Sequence, residues 1–176
     1  MSKFDETMKP MKGKLQLIFR DRNTGEILDV EDDNNIFLNL GMSQMLRAIT
    51  TPAPSGGAVQ YILQEFSIGD DIGSGSLLNP EPAQATYTAA NQNVVYTVPY
   101  ADLTINYPNY YTTEISLVLD GNAVMAQYPS QVDLRFSSAA LYSGGGDPFA
   151  YRRFQTRTIT REITIDVKWT LYFDGQ

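Results

Sequence analysis

The sequence predicts a mainly β fold, an antiparallel β-sandwich of jelly-roll-like type with one short helix. Three observations carry this. Several segments alternate apolar and polar residues, turn residues recur every ten residues or so, and one segment alone has helical spacing. The 176 residues suffice for a single core that buries about 70% of the unfolded surface. One domain is expected over 14–176, behind an arm at 1–13 that lacks periodicity, contains Pro10 and Gly13, and holds Lys3, Lys9 and Lys12.

Leu15, Leu17 and Phe19 alternate with Lys14, Gln16 and Arg20, and Asp21-Arg22-Asn23-Thr24-Gly25 then supplies turn chemistry before a second strand at 26–31. Met42, Met45, Leu46 and Ile49 form an apolar helical stripe, with Asn39 as its cap and Thr51-Pro52 as its end. Adaptable core filling explains the methionines better than a ligand-binding surface does. Residues 51–58 read as a loop and 61–68 as a strand, while 69–92 is a long Gly-, Pro-, Asn- and Ser-rich loop of the kind that is functional or held by a neighbour.

Strands resume at 94–100 and 110–119, separated by Asn106-Tyr107-Pro108-Asn109. Asp120-Gly121 predicts a type I′ hairpin turn into a strand at 122–128, because that dipeptide tolerates positive φ. Val132, Leu134 and Phe136 alternate in the next strand, and Ser143-Gly144-Gly145-Gly146-Asp147-Pro148 reads as a mobile loop. Odd positions from Ile159 to Phe173 are apolar except Arg161, which predicts one strand about 50 Å long at about 3.3 Å per residue. A strand of that length bends through a bulge or protrudes to pair with another chain.

The composition prunes function. With no His and no Cys, the usual zinc ligands, thiol nucleophiles and Ser-His or Cys-His relays are missing, so no enzyme activity and no cofactor are expected. Paired carboxylates could still serve a glycosidase, which sequence spacing does not test. The opening Met1–Met8 mixes charges where a signal peptide needs an apolar core, so export by that route is not expected, nor is a membrane span. A net charge of −7 disfavours phosphate backbones and anionic lipid, so neither nucleic acid nor membrane is an expected partner.

Charge is unevenly placed: Asp21, Glu26, Asp29, Glu31, Asp32 and Asp33 stand against Arg22 alone, whereas Arg152, Arg153, Arg157 and Arg161 cluster near the other end. A calcium loop counted from Asp29 fails, because Asn34 stands where Gly belongs and Leu40 where Glu belongs. Gly69-Asp70-Asp71 could hold a cation or end a strand, and Gly73-Ser74-Gly75 and Gly144-Gly145-Gly146 lack the residues of a phosphate cradle. Phe149, Tyr151, Arg152, Arg153 and Phe154 interleave aromatics with arginine, a mix that stacks on bases or anchors protein interfaces. An acidic protein favours the interface, in which Arg152 and Arg153 would meet Asp29, Glu31, Asp32 and Asp33 of a neighbouring copy. Tyr107, Tyr110 and Tyr111 could offer a sugar platform or simply sit on a sheet.

The order of features resembles a widespread group of small virion proteins of tailed bacteriophages. It is carried by the opening strand pair, Asn35-Ile36-Phe37-Leu38-Asn39-Leu40-Gly41, Phe66-Ser67-Ile68-Gly69-Asp70-Asp71, Leu78-Asn79-Pro80, Thr113-Glu114-Ile115-Ser116-Leu117, Tyr151-Arg152-Arg153, and Val167-Lys168-Trp169-Thr170-Leu171. The resemblance spans 14–173 and brings no catalytic residues. It implies a non-enzymatic β-sandwich located in the virion, partnered by copies of itself and other virion proteins at the neck, tail or fibre attachment. A capsid decoration protein on the head and a carbohydrate-binding module that takes a glycan are the alternatives.

Overall fold

A computed structural model of the chain describes residues 11–37, 63–71, 92–146 and 148–173. Nine strands appear in the order β1 (Met11–Asp21), β2 (Ile27–Phe37), β3 (Leu63–Asp71), β4 (Gln92–Pro99), β5 (Thr104–Asn109), β6 (Thr112–Asp120), β7 (Leu134–Ser143), β8 (Pro148–Ile159) and β9 (Ile163–Phe173). A six-residue helix, α1 (Gly121–Ala126), follows β6, and a 3-10 turn at Tyr100–Asp102 precedes β5. β1 begins within the span expected as an arm, since Met11 already pairs with Phe173. Residues 1–10, the helix expected around Met42–Ile49, the loop at 51–58 and Gly73-Ser74-Gly75 lie outside the described residues.

All ladders are antiparallel, and the hydrogen-bonded order β4-β3-β7-β8-β2-β1-β9-β6-β5 folds over on itself into two packed sheets, an antiparallel β-sandwich. The fold-over lies at β2. Its residues Ile27–Asn35 pair with β1, whereas only Ile36 and Phe37 reach β8, opposite Tyr151 and Ala150. Leu15, Leu17 and Phe19 of β1, Ile115, Leu117 and Leu119 of β6, and Ile165, Val167 and Trp169 of β9 all point inward, as period-two alternation requires. They meet Phe66 and Ile68 of β3 and Phe136 and Leu141 of β7. Aromatic contacts tie the layers together: Trp169 meets Phe66 edge-on at 6.2 Å, and Phe19 stacks on Phe136 at 6.4 Å. The Trp169 indole N–H has no hydrogen-bond partner in this core.

Turn chemistry explains the β1–β2 hairpin. One Asp21 carboxylate oxygen accepts the backbone N–H groups of Asn23 (2.9 Å) and Thr24 (2.8 Å), and Gly25 takes φ +74°. Those bonds hold the Asp21 carboxyl below the usual aspartate value.

Two expectations are corrected. Asp120-Gly121 does not turn a hairpin: Asp120 caps α1 by accepting the Asn122 N–H at 2.9 Å, and no strand occupies 122–128. Gly121 is present for space rather than for positive φ, since a Cβ there would lie 1.9 Å from the Thr160 carbonyl oxygen. The hairpin lies one element earlier, where β5 pairs with β6 across Tyr110-Tyr111. The single long terminal strand is likewise two strands. Thr160-Arg161-Glu162 turns the chain, with the Ile163 N–H on the Thr160 carbonyl at 3.2 Å. The odd-position alternation survives because the turn keeps Ile159 and Ile165 both buried.

Candidate functional site

The arginine-rich end does not form one surface. Arg152 and Arg153 sit in the middle of β8, each only 7% exposed, and neither is without a partner. Buried guanidinium groups survive only when paired, so their burial reflects contacts already made within the chain. Tyr151 and Phe154 are buried beside them, so the expected open aromatic–arginine surface is corrected to an interior strand. Phe149 holds a backbone position in β8. Arg161 turns elsewhere, to the Met125 carbonyl at the end of α1 (3.3 Å).

Arg157 is the residue that meets the acids. Its register partner is the core residue Phe136, so it leans toward the interior at the side where β8 diverges from β2. There it donates to Asp29 at 2.8 Å and to Glu31, and it stands 5.9 Å from the centre of the Phe19 ring. The acid–arginine complementarity expected between copies is thus met at Asp29 and Glu31 inside one chain. Asp32 faces the opposite side and pairs with Lys14 at 2.9 Å, while Asp33 stands opposite Leu15 in the ladder. Arg157 was legible in part, because it shares the odd parity of the inward-facing Ile159.

A second polar cluster carried no sequence signal. Gln92 at the start of β4 accepts the Tyr142 phenol (2.6 Å) and the Ser67 hydroxyl (3.3 Å), and donates to Ser138 (2.9 Å). Ser138 in turn donates to the Gly69 carbonyl at 2.7 Å. All four side chains are buried, and burial pushes the Tyr142 phenol up to about 12. Gly69 permits the close approach: a Cβ there would lie 2.4 Å from the Asn93 carbonyl oxygen. Asp70 and Asp71 continue β3 opposite Asn93 and Gln92 instead of ending it in a turn, and the described residues contain no group of three or more acids, His or Cys placed to hold a metal.

Two accessible features remain. The first is aliphatic. Ile27, Leu28 and Val30 are exposed on β2, and Val30 stands opposite Ile18 on the outer face; exposed Val118 lies two strands beyond Ile18, with Asp166 between them. Around them that face is a ladder of cross-strand ion pairs, Arg20 with Asp166 (2.7 Å), Lys168 with Glu114 (2.7 Å) and Arg22 with Asp120 (3.1 Å). The second is the tip of the β5–β6 hairpin, which presents Tyr107, Tyr110 and Tyr111. No protein-family model, no curated protein and no solved structure matches the chain.

Proposed function

We propose that the chain is a non-enzymatic structural component of a tailed-bacteriophage virion, assembling in multiple copies at the neck, tail or fibre attachment. One observation carries the assembly part of this reading: the exposed aliphatic patch of Ile27, Leu28 and Val30 on β2, with Ile18 of β1 beside Val30. The solvent face of an antiparallel sheet is ordinarily polar, and clustered aliphatics on it suit a surface completed by another subunit. The placement on a phage particle rests on the ordered sequence resemblance.

The test is solution mass by light scattering, followed by localisation of tagged protein on particles. A closed multi-copy assembly found at the neck or tail supports the reading. A monomer that coats heads in high copy replaces it with decoration, and a monomer that binds no particle overturns it. Ile27→Lys with Val30→Lys should reduce the assembly to monomers while leaving the melting temperature nearly unchanged, since both positions are exposed.

A further inference from the structure

The β5–β6 tip is unlike the rest of the surface. Tyr107 is 73% exposed, Tyr110 102% and Tyr111 55%, three phenol rings left in water within five residues. The tip is held in shape: β5 and β6 pair as close to the turn as Asn109↔Thr112, and the Asn109 side chain accepts the Tyr111 N–H at 2.8 Å. Rings presented on a rigid turn lose little conformational freedom when something stacks on them.

The edge next to the tip is closed to strand addition. Pro108 removes a backbone donor from β5, and the β5–β6 register shifts between Asn106 and Asn109. Both devices stop another strand from extending a sheet. The tip therefore offers side chains rather than a backbone ladder.

Those side chains define the ligand. From Leu103 to Thr113 there is no charged residue, so neither an anion nor a cation finds a counter-charge in the hairpin tip. What the segment supplies is aromatic faces with hydroxyl tips, the amides of Asn106 and Asn109, and threonine hydroxyls. Apolar C–H faces bearing many hydroxyl groups match that set. We infer that the Tyr107–Tyr110–Tyr111 tip is a binding site for a neutral glycan, with the rings stacking on sugar faces. This goes beyond the assembly reading and holds wherever the protein resides.

The experiment is affinity electrophoresis of the full chain through gels containing neutral polysaccharides, namely dextran, laminarin, galactomannan and hydroxyethyl cellulose, with light scattering run in parallel. Retardation by at least one polymer is expected, persisting in 0.5 M salt because no charge takes part, and weakened roughly tenfold or more when Tyr107, Tyr110 and Tyr111 are replaced together by Ala. The thermal midpoint of that variant should match the parent, because the rings touch little of the protein. Absence of retardation in all four gels overturns the inference, as does equal retardation of the triple variant. A triple variant that changes the oligomer mass instead assigns the tip to subunit contact and also overturns it.

Discussion

Arg157 and Glu31 are joined across the part of the sheet order where the backbone ladder is shortest. Strand β8 meets β2 only at Tyr151 and Ala150, and beyond those two pairs the guanidinium on Asp29 and Glu31 bridges the strands. One side chain thus links β8 to β2 where their backbone pairing has ended. Its guanidinium also stands over the Phe19 ring, so the same charge faces an aromatic as well as the two carboxylates.

Replacing Arg157 by Met keeps an unbranched side chain at this place and removes the bridge. Because Asp29 is half exposed and recovers water readily, the loss should be about 1–2 kcal/mol, less than for a fully buried pair. Urea midpoints of Arg157→Met, Glu31→Gln and the double variant measure it. Additive effects of the two substitutions would show that the residues do not interact.

Gly121→Ala tests the close approach of α1 to the β8–β9 turn through the sign of its effect. In an open helix the exchange stabilises by up to about 1 kcal/mol. Here the added methyl would meet the Thr160 and Ile163 carbonyl oxygens at 1.9 and 2.4 Å, so a destabilisation of at least about 2 kcal/mol is expected. A higher melting temperature would refute the contact.

The Tyr142 phenol makes stability fall in alkali. Below pH 10 it is protonated in both the folded and unfolded chain and contributes no pH dependence. Above that the unfolded chain gives up the proton while the folded one keeps it to about pH 12, so unfolding releases a proton and stability declines by up to about 3 kcal/mol across the window. Urea titrations from pH 8 to 12 should show the slope, and Tyr142→Phe should flatten it.

Asp21 acts at the other end of the scale. Its carboxyl is held below 3.8 by the Thr24 and Asn23 N–H groups, so its contribution is present above the unfolded value and disappears as pH falls through the folded one. An NMR titration of the side chain should place its midpoint below 3.8, and Asp21→Asn should remove that part of the acid sensitivity. A midpoint at the ordinary value would mean that the turn bonds do not form in solution.

Strand periodicity was readable wherever one face meets the core and the other meets water, as in β1 and β9. In β7 it marked Leu134 and Phe136 but not the rest, because the Ser137–Ser143 stretch is buried on both faces and carries little alternation. Asp120-Gly121 misled because the same dipeptide serves a hairpin turn or a helix start, and here Gly121 is needed for the close approach of the Thr160 carbonyl rather than for positive φ. The turn at Thr160-Arg161-Glu162 hid because it lacks Gly, Pro and Asn and does not break the parity of its flanks. The tyrosine tip was legible as composition, whereas the Gln92 cluster joins residues from three strands that only the topology brings together.

The place of β1 has a consequence for the order of synthesis. This strand lies between β2 and β9, and its ladder to β9 runs from Met11↔Phe173 to Asp21↔Ile163. An early-made segment therefore waits for the last described strand before its second edge is covered. Until then β1 and β6 both expose backbone that β9 will occupy, and contacts so distant in the chain are slow to form. A polypeptide cut short before Ile163 would be left with a gap in the middle of its first sheet, and nascent chains stalled there are the ones a chaperone would need to shield.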